Sequence, residues 1–132
     1  KLLDKEGPVP AESFMVRARL DRIQLQLRNT EDDVDFIWLD GWGFVRGCDN
    51  RRFEKSLVLE NNGEVRRYEL FSTYRKDILN AFRGEDHIEL SGFFFRLPVS
   101  ELEGKEWHAG IVMTDIITGK ELYRDLAKNV KA

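Results

Sequence analysis

The sequence predicts an all-β fold, an antiparallel sandwich of about seven to nine strands with one short helix, on three observations. Apolar and polar residues alternate over most of the chain, which is the period of a half-buried strand. Gly, Asn, Asp and Pro punctuate that alternation at intervals of roughly ten residues. The alternation gives way to helical spacing only at "STYRKDILNAFRG" (72–84). No internal repeat and no β-helix-β rhythm competes with this reading.

Residues 1–12, charged and carrying Gly7, Pro8 and Pro10, read as a linker or tail. The sandwich is expected over 13–125, and 126–132 as a polar C-terminal tail. From Phe14 the period is two, with Phe14, Val16, Ala18 and Leu20 on one side. At Asp21-Arg22 the parity slips, and Ile23, Leu25 and Leu27 continue on odd positions. One extra residue does this, so a bulge is expected there. "RNTEDD" (28–33) is a polar turn.

Val34, Phe36, Trp38, Trp42 and Phe44 then share one parity, and Ile37, Leu39 and Val45 the other. A strand apolar on both sides belongs in the middle of its sheet. The even face, with its two tryptophans, is expected to be core, since large aromatics dominate burial. "GCDNRR" (47–52) is a turn, and Phe53, Leu57 and Leu59 mark the next strand. Asn62-Gly63 suits the centre of a type I′ hairpin, with the return strand over 65–71. Ser72 or Thr73 is placed to cap one or two helical turns that end by Gly84. "HIEL" and "SGFFFRL" (87–97), the strand from Trp107, and a hairpin turning at Thr118-Gly119 complete the series.

A chain of 132 residues is most simply one domain. Its length suffices to bury roughly two-thirds of the unfolded surface without disulfide or metal. The net charge of −3 argues against a general nucleic-acid binder, which needs a basic face. Cys48, the single cysteine, has no intramolecular partner. No apolar run approaches the ~20 residues of a membrane helix, so direct membrane insertion is not expected. The sequence opens without Met or a signal peptide and reads as an excised or processed piece.

No catalytic or metal motif stands out, and no cofactor is expected. His87 and His108 have no zinc-type spacing to a second ligand. Glu31, Asp32, Asp33 and Asp35 lack the glycine and closing glutamate of a calcium loop, so they read as a solvated turn. Nothing local gives Cys48 a base. "GWGFVRG" resembles a phosphate loop only superficially, because no helix start follows it. His108 faces away from Trp107 and Ile111. Among candidate binding residues, Tyr74 and Arg75 open the helix and Arg66-Arg67 precede them. Such a cluster is suited to a phosphate or an acidic sugar, or to plain surface ion pairing. Residues 53–59 are a candidate edge strand for pairing with another protein.

Several short motifs recur in a recognisable order: Gly41-Trp42-Gly43-Phe44, Arg75-Lys76-Asp77-Ile78, Ser91-Gly92-Phe93 and Thr118-Gly119-Lys120. Over about residues 14–124 this order resembles the β-sandwich accessory domains of bacterial glycosyltransferases and polyol-phosphate transferases. Those enzymes build lipopolysaccharide, capsule and teichoic-acid-like polymers. The resemblance implies an immunoglobulin-like, non-catalytic module in which Trp42, Phe44, Asp77, Gly92 and Phe93 are structural. It implies as partners a surface glycan or phosphate-containing polymer and the catalytic domain of a parent protein. It also implies a bacterial cytoplasmic setting, at the inner face of the membrane through that parent. Gly41 and Gly43 are expected to mark a close approach of backbone or ring beside Trp42. The rival readings are a protein-binding sandwich and, least favoured, a small glycan hydrolase.

Overall fold

The computed structural model describes residues 2–3, 9–27 and 34–132. The polar turn at 28–33, including Glu31, Asp32 and Asp33, and most of the N-terminal linker lie outside them. Nine strands and one helix follow in order: β1 (Leu2–Leu3), β2 (Val16–Gln26), β3 (Phe36–Val45), β4 (Phe53–Asn61), β5 (Glu64–Glu69), β6 (Phe71–Thr73), α1 (Lys76–Ala81), β7 (Gly92–Pro98), β8 (Trp107–Asp115) and β9 (Glu121–Val130). The strands form two antiparallel sheets, ordered β1-β5-β4-β8-β9 and β2-β3-β7-β6. The chain is therefore an all-β sandwich.

The core lies where the two inner faces meet. Leu20, Ile37, Leu39, Phe93 and Leu97 come from the smaller sheet, and Leu57, Leu59, Tyr68, Trp107 and Ile111 from the larger. Buried polar ends are satisfied: Trp107 Nε1 donates to the Leu102 carbonyl at 2.9 Å, and the Tyr68 hydroxyl donates to Glu101 at 3.0 Å. A satellite cluster of Phe44, Ile78 and Ile88, with Trp42 and Phe82 against it, sits under α1 on the far side of the smaller sheet.

Local chemistry placed several features correctly. The register of β2 against β3 shifts between Leu20 and Arg22, leaving Asp21 as the extra residue of a bulge. Asn62 and Gly63 both have positive φ, 45° and 87°, as a type I′ turn requires. Gly119 turns the last hairpin at φ 76°. Gly41 sits where a Cβ would collide with the Arg19 carbonyl and lie 2.8 Å from the Phe93 ring. At Gly43 the Ile111 side chain would stand 3.0 Å away. Gly92 is likewise roofed by Thr73 and Arg75.

Other expectations are corrected. Residues 53–59 belong to β4, paired on both sides, so they form no edge. The segment 65–71 is not one strand: it ends at Glu69, and Phe71 begins β6 in the other sheet. Ser72 and Thr73 lie in β6, and the N-cap position of α1 is Arg75, without a side-chain cap. "HIEL" forms a turn, since His87 takes a positive φ of 53°. The region 126–132 is no loose tail, because β9 runs to Val130 and buries it and Leu126. A register shift beside Gly110 and a positive φ at Ala127 interrupt the period-two pattern there. Leu2–Leu3, within the expected linker, pairs with β5. Phe14 precedes β2 and is exposed, with the Arg124 guanidinium 4.4 Å above its ring.

Gly41→Ala is expected to destabilise the fold by at least about 2 kcal/mol, since backbone and a core ring must both move. Gly84→Ala, where nothing lies within 4 Å, is the neutral control; urea unfolding of both variants checks the contrast.

Candidate functional site

The site follows from which parity of β3 points inward. The odd residues Ile37, Leu39, Gly41 and Gly43 face the core. The even residues Phe36, Trp38, Asp40 and Trp42 therefore face outward. The expectation of a core position for Trp38 and Trp42 is corrected accordingly: both are half-buried on the outer face. α1 covers the Trp42 end through Phe82, whose ring lies 5.6 Å from Trp42. Beyond it the face is open.

On that open face three rings line up across three strands. Phe71 of β6 lies opposite Phe94 of β7, and Trp38 of β3 is the diagonal neighbour of Phe94. Ring centroids are 5.4 Å apart for Phe71–Phe94 and 5.5 Å for Phe94–Trp38, with interplanar angles of 28° and 12°. Trp38 Nε1 donates to Asp40 at 2.7 Å, which fixes the indole, and Arg22 pairs with the same carboxylate at 3.3 Å. Arg96 lies 4.4 Å over the Phe36 ring at the other margin. The result is an apolar strip of mutually stacked rings with charged borders. Phe71 is 58% exposed, a large value for a phenylalanine in a strand. A groove of about 460 Å³ runs beside it, lined by Tyr68, Phe71, Phe94, Arg96, Pro98 and Glu101.

The structure does not assemble the basic cluster predicted from the sequence. Arg66 and Arg67 are adjacent in β5 and point to opposite sides. Arg66 stacks 4.6 Å from the Trp107 ring and pairs with Glu64 and Glu103. Arg67 is buried and pairs with Glu121 at 2.6 Å. Arg75 stands at the start of α1 beside the other sheet. It grips Asp77 through two bonds of 2.8 and 2.7 Å, reaches Asp21 at 3.1 Å, and approaches the Gly41 carbonyl at 3.5 Å. This guanidinium holds the Asp77 carboxyl down to about 2. Tyr74 is 57% exposed and stands apart from β5. Arg75 thus ties the bulge at Asp21 to the helix.

No protein-family model, no curated protein and no solved structure matches this chain. The resemblance to glycan-assembly modules rests on the short motifs alone.

The histidines and Cys48 show no nucleophilic arrangement. Cys48 is half-buried against the core. His108 lies 2.7 Å from both Asn129 Oδ1 and Asp125 Oδ1, a pair of acceptors that favours the protonated ring. The Asn129 bond, helped by Asp125, raises its pKa. Among the described residues, no three His, Cys, Asp or Glu side chains converge as a metal site.

Sequence reasoning missed the rings Phe71 and Phe94, and it missed Lys55. Lys55 is 7% exposed in a β-strand and has no carboxylate partner among the described residues. Its ammonium donates to Ser72 Oγ and the Leu90 carbonyl, both at 2.9 Å. Burial lowers its pKa from 10.5 to about 8. "KSLVL" carried the signal, because Lys55 and Leu57 share the inward parity.

Two pH dependences follow. His108 has a raised folded pKa, so its contribution to stability is complete below the ordinary histidine range and lost as pH rises through the folded value. Urea unfolding at pH 6 and pH 8 is expected to show that loss in the native chain and not in His108→Gln. Lys55 has a lowered pKa, so below pH 8 the fold carries the full cost of its charge, and stability rises between about pH 8 and 10.5. In a phosphate-free buffer at pH 7, Lys55→Met is expected to gain about 1–3 kcal/mol, and the gap to close across that window.

Proposed function

We propose that this chain is a non-catalytic recognition module that lays a glycan across the outer face of the smaller sheet. The observation that carries this reading is the row of stacked rings Phe71, Phe94 and Trp38. Sugar rings have an apolar C–H face and a polar hydroxyl rim. The exposed apolar surface of the aromatic row meets the first, and the charged groups of Arg22, Asp40 and Arg96 meet the second. The motif resemblance supports the same ligand class. It also supports a position beside the catalytic domain of a glycosyltransferase or polyol-phosphate transferase, in the bacterial cytoplasm. Among the described residues, no helix is long and apolar enough to cross a membrane.

The acids are dispersed over the three described pockets. The groove beside the rings holds Glu101, and two further pockets hold Glu89 and Glu85, one carboxylate each. Glycoside hydrolysis ordinarily needs two in one site.

A second reading has its own observation. β6 covers β7 only from Gly92 to Phe94, and among the described residues no strand pairs along that side from Phe95 to Pro98. An extended peptide fits there by strand addition, with its side chains in the adjoining groove.

The test is a titration with surface-glycan fragments, including rhamnose-rich and glycerol-phosphate oligomers, followed by amide shifts and indole fluorescence. Shifts at Trp38, Phe94 and Arg96 are expected, with affinity reduced about tenfold in Trp38→Ala and in Phe71→Ala. Phe71→Ala is expected to unfold at the native denaturant concentration, because its ring is mostly in solvent. A flat response across the panel sinks the glycan reading. Shifts along 95–98 with a peptide library support strand addition instead.

A further inference from the structure

A second pocket, of about 160 Å³, opens between the sheets at the Lys55 end of β4. Lys55, Ser72, Ser91, Arg51, His87 and Glu89 are among its lining residues. Two features need a ligand to explain them. The first is Lys55 itself, a buried ammonium with two neutral acceptors and no counter-ion among the described residues. An uncompensated charge in the interior costs several kcal/mol in general, and proteins retain such groups where something pairs with them. The second is Ser91. Its residue is 3% exposed, and its Oγ has no hydrogen-bond partner among the described residues. A buried hydroxyl without a partner is rare.

The donors of the pocket add up. Lys55 has a third N–H beyond the two in use. Ser72 Oγ accepts from Lys55, so its own O–H is left to donate outward. Ser91 Oγ–H is free. These three donors come from β4, β6 and the turn before β7, so they approach from different directions. Planar carboxylates are matched by donors in one plane, as in an arginine fork. Donors spread in space match a tetrahedral anion. Arg51 and His87 add positive or neutral character at the rim. Arg51 is engaged with Asp49 at 2.7 Å. Glu89, exposed and 3.9 Å from His87, is the one carboxylate lining the pocket.

We propose that this pocket is a binding site for a phosphate group, with Lys55 as its charge partner and Ser72 and Ser91 as its hydroxyl donors. It is independent of the aromatic strip, which lies on the outer face of the smaller sheet.

The probe is inorganic phosphate, titrated into the full chain at pH 7 in a phosphate-free buffer and followed by amide NMR. Saturable shifts at Ser72, Leu90 and Ser91 are expected, with a dissociation constant of about 1 mM or below. Lys55→Met is expected to abolish them, and Ser91→Ala to weaken binding about fivefold or more. Ser91→Ala removes no hydrogen bond from the unliganded protein, so it remains informative even where Lys55→Met fails to fold. A parallel titration with glycerol phosphate separates the two sources of the group. Equal or tighter binding assigns the site to a phosphate ester, and selective binding of the inorganic ion assigns it to free phosphate. No saturable shift up to about 20 mM, an equal response to chloride, or unchanged binding in either variant overturns the proposal. The glycan reading fails separately, through Trp38 and Phe71, so the two outcomes are distinguishable.

Discussion

Both candidate surfaces depend on how the chain changes sheets at Leu70. Tyr68 still pairs with Leu57 in the larger sheet, and Phe71 already pairs with Phe94 in the smaller. Between them the Leu70 amide donates to the Lys55 carbonyl at 3.0 Å, and the Leu70 side chain is buried between the layers. Successive strand residues face opposite ways, so this one hydrogen bond sets the phase of everything after it. It sends Phe71 outward to complete the row of rings. It sends Ser72 inward to the Lys55 ammonium. A crossing one residue later would exchange the two, removing a ring from the strip and the hydroxyl from the pocket.

The parts of the fold that rest on near neighbours were legible in the residues. The bulge at Asp21, the Asn62-Gly63 turn and the doubly apolar β3 each follow from a few adjacent positions. What was not legible depends on partners far along the chain. β3 is apolar on both parities, so periodicity alone could not say which side met the other sheet. Gly41 and Gly43 held the answer, since the packed side is where a neighbouring backbone and rings leave no room for a Cβ. Arg66, Arg67 and Arg75 read as one basic cluster because they are close in sequence. A strand turns neighbours to opposite sides, and carboxylates as distant as Glu103 and Glu121 neutralise them. The Trp38–Phe94–Phe71 row joins three strands and is absent from any single window of sequence. The sheet switch hid it further, by giving 65–71 the look of one strand.

The charges divide into two kinds. Exposed guanidiniums are held in short, local pairs such as Arg75–Asp77 and Arg51–Asp49, which orient turns and contribute little each. Lys55 is different, being buried and answered only by neutral oxygens. The aromatic strip is preset in a comparable sense. Ring-on-ring packing and the Trp38–Asp40 bond fix its geometry before any ligand arrives, so little side-chain freedom is left to lose on binding.

The N-terminal dozen residues touch both margins of the larger sheet. Leu2–Leu3 runs along β5, and Glu12 bridges to Tyr123 of β9, with the Ser13 amide bonded to the Tyr123 carbonyl at 2.8 Å. Bare sheet margins are templates for intermolecular pairing, and proteins ordinarily blunt them with charge, proline or a covering loop. Here Leu2–Leu3 occupies part of the β5 margin, and Glu12 and Ser13 occupy part of the β9 margin. Losing these contacts would leave the core residues in place while opening both margins of the larger sheet to strand pairing with another copy.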